Sequence, residues 1–141
     1  MWLVWGCIMS VCVQKEKQVE VDEWGYSRVQ ALYETLPKRI VTPDDLVRVK
    51  TFAVDFARWL AEDAEPAVLG GRSSLEWWLE EMPYWRLRIR KFVAWSAFML
   101  DEVRRVLDRT QDSAVAKTAW ETLQVLEEAH KRAEALLKAI A

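Results

Sequence analysis

The sequence predicts an all-α protein: an antiparallel bundle of four to five helices, with a short extended arm at the N-terminus. Three observations predict it. Glycine and proline number only four each and Asn is absent from the 141 residues, so turn formers are few. From Tyr26 onward, apolar residues recur at three- and four-residue steps, the spacing of one helix face. Pro37, Pro66 and Pro83 stand between those stretches, where helices are expected to stop.

At roughly 150 residues per domain, the chain makes one domain, with residues 1–23 as arm or extension and 24–141 as the bundle. Hydrophobic residues are 52% and charged residues 30% of the chain. A chain of this size buries about two thirds of its unfolded surface. The composition excludes global disorder, a collagen-like repeat and a disulfide-stapled miniprotein. With 20 basic and 22 acidic side chains the formal charge is −2. Nucleic-acid binding would therefore need a local basic patch. The two cysteines, Cys7 and Cys12, make neither a disulfide framework nor a four-ligand zinc site. Missing Asn, one His and abundant Arg, Glu and Trp fit a chain selected at high temperature.

Trp2 to Val13 is apolar at ten of twelve positions, too short for a membrane span of about 20 residues. No basic region precedes it as a secretory signal requires. Two readings stand: a short element packed on the core, or an extension upstream of a start at Met9. The expected location is the cytoplasm. Val11, Val13, Val19 and Val21 keep a period of two, which predicts the extended arm through Glu23.

The first helix is expected over Tyr26 to Leu36, with Val29, Leu32, Tyr33 and Leu36 on one face and Pro37 at its end. The second opens at Thr42 as N-cap, with Pro43 in the first turn and Asp44 and Asp45 at the positive helix end. It should run to about Ala64, carrying Leu46, Val49, Phe52, Ala53, Phe56, Ala57 and Leu60, and a loop should cover Ala67 to Arg72. Ser73-x-x-Glu76 reads as a capping box for a short helix from Leu75 to Met82. A long helix follows over Tyr84 to Arg109, with Trp85, Ile89, Phe92, Val93, Met99, Leu100, Val103, Val106 and Leu107 on one face. Leu87, Trp95 and Phe98 fall on a second face. Gln111 to Ser113 should turn the chain into a last helix from Ala114 to Ile140. Its expected seam is Ala116, Ala119, Leu123, Leu126, His130, Ala133, Leu137 and Ile140, suited to close antiparallel packing.

The run Tyr84-Trp85-Arg86-Leu87-Arg88-Ile89-Arg90-Lys91 sets four cations within six residues. Residues 84–109 hold seven basic and three acidic side chains, a local +4. Arginine forks match phosphates, and exposed aromatics stack bases. Arg86, Arg88, Arg90, Lys91 and Arg104 are therefore candidates for single-stranded nucleic-acid contact. The competing reading is a solvated face paired to Glu76, Glu80 and Glu81. Trp77, Trp78, Trp95 and Phe98 are candidates for a protein interface, with core packing as the competing reading. Glu127-x-x-His130 has the spacing of a di-iron half-site, but the single His could complete a site only across a dimer. No phosphate loop, dinucleotide glycine pattern or nucleophile elbow appears. No catalytic residue, cofactor or metal is expected.

Tyr33-x-x-Leu36-Pro37-x-x-Ile40, followed by a helix with Phe52 and Phe56, resembles the small α-helical subunits of CRISPR effector complexes. The last helix, Thr122-Leu123-Gln124-Val125-Leu126 through Ala133-Glu134-Ala135-Leu136, is similar in style. The likeness touches residues 26–60 and 119–137. It departs at Thr42-Pro43-Asp44, where such subunits often carry Asn-Gly. The resemblance implies a non-enzymatic subunit of antiviral defence, stacked with copies of itself and larger proteins along a guide RNA. Two alternatives stand beside it: a self-assembling viral or filament protein, and a metal-binding bundle completed by dimerisation.

Overall fold

The computed structural model describes residues 4–8, 12–13, 32–70 and 74–140. The expected arm over 14–23 and most of the first helix, residues 26–31, lie outside the described residues. Val4–Ile8 (β1) and Cys12–Val13 (β2) pair antiparallel. Everything described beyond residue 42 is built from helices, and the class is all-α.

Helix α1 (Pro43–Trp59) starts where its cap predicts. The Thr42 Oγ1 accepts the Asp45 N–H at 3.3 Å, and Asp45 Oδ2 accepts the Thr42 and Val41 N–H groups at 3.0 and 2.9 Å. This closes a capping box with Asp in place of the usual Glu or Gln. Those backbone donors, Val41 first, hold the Asp45 carboxyl below its ordinary value.

The expected stop before Pro66 does not occur. A π-helical stretch, Leu60–Ala64, follows α1 and leads directly into α2 (Glu65–Leu69). The Glu65 N–H bonds to the Leu60 carbonyl, five residues back. Proline lacks an N–H, and its ring crowds the carbonyl four residues back. The wider turn shifts the ladder just before Pro66, which then sits in the first turn of α2, where no amide is needed. The chain leaves the helix only at Gly70, so Ala67–Leu69 are helical rather than loop.

Helix α3 (Leu75–Glu80) is capped by Ser74, whose Oγ accepts the Trp77 N–H at 3.1 Å. The expected cap, Ser73, lies outside the described residues, and the Ser74 cap leaves Glu76 without a capping-box role. Helix α4 (Met82–Arg109) begins beyond the turn at Glu81, with Pro83 in its first turn. Helix α5 (Ser113–Ile140) follows the turn at 110–112. There Asp112 Oδ1 accepts the Ala114 and Val115 N–H groups at 2.9 and 3.2 Å.

Arg86 meets Ile140, Ser96 meets His130 and Arg104 meets Glu127. One number rises as the other falls, so α4 and α5 run antiparallel. Helix α1 also packs on α5, where Lys50 reaches Glu121 at 3.3 Å. The core lies between these three helices, with Val49, Ala53, Leu60, Ile89, Phe92, Val103, Leu126, Ala129 and Ala133 fully enclosed.

The expected α5 seam is correct at Ala119, Leu123, Leu126, Ala133 and Ile140 and incomplete elsewhere. Thr122, Ala129 and Leu136 are buried, whereas Ala116, His130 and Leu137 are only partly so. Two neighbours, α1 and α4, widen the buried stripe beyond a two-position seam. Thr122 tolerates burial because its hydroxyl donates to the Thr118 carbonyl at 2.7 Å.

Candidate nucleic-acid and protein interface

An uninterrupted chain of aromatic rings runs between α1, α3 and α4. Phe52, Phe56 and Trp59 supply it from α1, at steps of four and three. Trp85, Phe92 and Trp95 supply it from α4, at steps of seven and three. At its centre Phe56 and Phe92 stack with centroids 3.9 Å apart and planes 2° from parallel. Toward one end Phe52 meets Trp95 at 5.1 Å and Tyr33 at 5.5 Å. Toward the other, Phe56 meets Trp59 at 5.3 Å, Trp59 meets Trp85 at 5.2 Å, and Trp85 meets Trp77 at 5.0 Å. Trp78 closes the row edge-on to Trp77 at 5.4 Å. Such pairs contribute roughly 0.5–1.5 kcal/mol each beyond simple burial.

One member of the basic run, Arg88, reaches this chain. The Arg88 guanidinium sits 4.0 Å over the Trp59 ring, a cation–π contact that orients the cation and masks the ring. Arg90 is exposed and Lys91 half-buried. Arg86 is drawn into structure: its Nη2 donates to the Ile140 carbonyl at 3.0 Å, and its Nε is buried without an acceptor. A cation there also suits the negative end of α5. Arg104 stands apart, about 21 Å along the helix from Arg90 at 1.5 Å per residue. It pairs with Glu127 at 2.9 Å and Asp101 at 3.7 Å. The structure therefore divides the candidates: Arg86 turns to the end of α5, Arg88 to Trp59 of α1, Arg90 to solvent, and Arg104 to Glu127. The competing pairing with Glu76, Glu80 and Glu81 engages neither Arg86 nor Arg104.

Trp77 and Trp78 are half-buried and pack on the core. The outward side of α3 is instead Leu75 and Leu79, 75% and 54% exposed. Their four-residue spacing was legible in the sequence beside the more conspicuous tryptophans. Trp95 is half-buried among Tyr33, Phe52 and Phe92, and its Nε1 lacks an acceptor. Burial pushes the Tyr33 phenol up, Arg88 opposes that in part, and the hydroxyl has no partner. Phe98 projects outward, half exposed, as does Trp120 on α5.

Glu127 and His130 each have another partner. Glu127 holds Arg104, while His130 Nδ1 lies 2.6 Å from Ser96 Oγ. His130 Nε2 is 3.9 Å from Glu134. Ser96, His130 and Glu134 thus form a line, but Ser96 is fully enclosed between α4 and α5 and its hydroxyl also bonds the Val93 carbonyl. The arrangement latches two helices and offers no substrate access. Among the described residues no group of three or more metal-binding side chains occurs.

Glu102 belongs to no motif in the sequence, yet it anchors a polar cluster. Its Oε1 accepts from Arg39 Nε at 3.0 Å, Arg105 Nη2 at 3.0 Å and the Ile40 N–H at 3.2 Å. Arg105, then Arg39 and the Ile40 amide, hold the carboxyl at about 2. Among the described residues no helix is long and apolar enough to cross a membrane. No protein-family model, curated protein or solved structure matches this chain.

Proposed function

We propose that the protein is a non-enzymatic assembly subunit that contacts single-stranded RNA within a larger nucleoprotein complex. The small helical subunits of CRISPR effector complexes are the kind of protein meant. This reading places it in the cytoplasm, with protein partners or further copies of itself beside it. One observation carries the reading. Arg88 lies 4.0 Å over the Trp59 ring, which holds a cation against a row of aromatic rings, and Arg90 is exposed two residues further along the same helix. Phosphates suit the cations and bases the rings.

The test is a titration with single-stranded oligouridylate, followed by tryptophan fluorescence at several salt concentrations. Saturable quenching that weakens with salt supports the reading. Arg90→Glu is the variant of choice, because Arg90 is exposed whereas Arg86 secures the end of α5. It should weaken binding severalfold and lower the salt slope by about one. Equal binding by Arg90→Glu, or no binding at low salt, overturns the reading.

The half-exposed Phe98 and Trp120 favour a second reading, a self-assembling structural protein. Concentration-dependent filaments in the absence of nucleic acid would select it.

A further inference from the structure

The bundle end opposite the basic run carries a cavity of about 320 Å³, where α1 begins and α4 ends. Its floor is apolar: Ile40 and Leu46 are buried, and Val106 and Val115 partly so. Its polar lining consists of Thr42, Thr110, Arg105 and Arg109. No carboxylate lines it. Beside it, Asp45 accepts the Val41 and Thr42 amides, and Glu102 accepts from Arg39, Arg105 and Ile40, so Arg105 is paired and Arg109 is the lining cation with no such bond among the described residues.

Three of the four polar groups retain donors. The Thr42 hydroxyl is committed to Asp45, whereas Thr110 accepts the Asp112 N–H and keeps its O–H. Arg105 gives Nη2 to Glu102 and to the Ile40 carbonyl, both at 3.0 Å, while its Nε is buried without an acceptor. Arg109 is exposed one turn further on, in the last turn of α4. A buried donor without an acceptor costs free energy that an incoming acceptor recovers. Pockets that bind small molecules combine such an apolar floor with a few convergent polar groups, from about 300 Å³ upward.

We propose that this cavity binds the end of an apolar chain that terminates in a carboxylate. The stem lies on Ile40, Leu46, Val106 and Val115. The carboxylate faces the two arginines and the Thr110 hydroxyl. A neutral chain would leave the donors unmet, and a small inorganic anion would leave the floor wet. The site is about 28 Å along α4 from Arg88, at 1.5 Å per residue, and stands independently of the RNA reading.

The experiment titrates the full chain with sodium octanoate, octan-1-ol, and acetyl-Ala-Leu-Leu as free acid and as amide, with amide chemical shifts as the readout. The expected result is saturable binding of a carboxylate with shifts at Val41, Thr42, Thr110 and Val115. Octan-1-ol or the peptide amide should bind about tenfold more weakly, as loss of a charge-assisted hydrogen bond implies. Arg109→Gln, at an exposed position, should weaken the carboxylate by about two- to fivefold. Octanoate binding alone assigns a free small acid, and peptide-acid binding alone assigns a peptide C-terminus. Equal binding of acid and neutral partners, shifts confined to other surfaces, or no binding of either acid at about 10 mM overturns the proposal.

Discussion

Replacing Glu102 with Gln removes the charge at the centre of the Arg39–Glu102–Arg105 cluster and keeps its shape. In the fold the carboxyl sits at about 2, against 4.5 for the free group. That difference is worth about 3 kcal/mol at 1.36 kcal/mol for each tenfold change. The cover over Glu102 is arginine side chain rather than depth, and 61% of the Arg39 side chain remains in water. Screening there reduces the figure to about 1–2 kcal/mol. The folded value is depressed, so the stabilisation is complete above the unfolded value of 4.5 and is lost as pH falls toward 2. Urea denaturation of wild type and Glu102→Gln at pH 7 should differ by about 1–2 kcal/mol, or about 3–6 °C in Tm. The gap should shrink steadily below pH 4.5 and nearly close by pH 2 to 3, the interval set by the two values. All other carboxylates are common to both proteins and cancel in the comparison. A gap of constant size from pH 7 to pH 3, or none at pH 7, would refute the assignment of charge-assisted bonds to Glu102.

Thr42→Ala should lower unfolding free energy by about 1 kcal/mol in urea melts through loss of the α1 capping box, and Thr42→Ser should restore most of it. Phe92→Ala removes a fully buried ring stacked on Phe56, and a loss of about 3–5 kcal/mol is expected by the same assay. Ser96→Ala leaves His130 Nδ1 without its partner and should cost about 1–2 kcal/mol; a neutral result would mean that the α4–α5 latch carries no stability. Ala133→Leu places a larger side chain at an enclosed position of α5, with an expected cost of about 1–3 kcal/mol and broadened amide spectra around Ala129 to Leu137.

Local chemistry made much of the fold readable. Thr42, Pro43 and Asp45 lie within four residues, and each acts on its neighbours' backbone, so the α1 start followed from sequence alone. Pro83 was expected between helices and instead sits in the first turn of α4, and the turn expected over Gln111 to Ser113 falls at 110–112. Pro66 was misread because a proline marks where a regular α-helix must stop, and periodicity carries no sign that a π turn can admit it. The α5 seam was half legible. The repeat gives an apolar direction, but the presence of two neighbours, α1 and α4, decides how wide the buried stripe becomes.

The candidate interface divides in the same way. Composition and spacing alone determined that cations and aromatics share the first turns of α4, that the chain is helical, and that each long helix has an apolar face. Only the tertiary structure decided what each side chain meets. Arg86 is committed to Ile140, 54 residues away in sequence, and Arg104 to Glu127, while Arg88 lies on Trp59. Glu102 reaches Arg39 and Ile40 across separations of 63 and 62 residues. A sequence sets the faces of its helices through contacts a few residues long. The partner of a charged or aromatic side chain depends on how those helices dock, which is fixed by packing summed over the whole core.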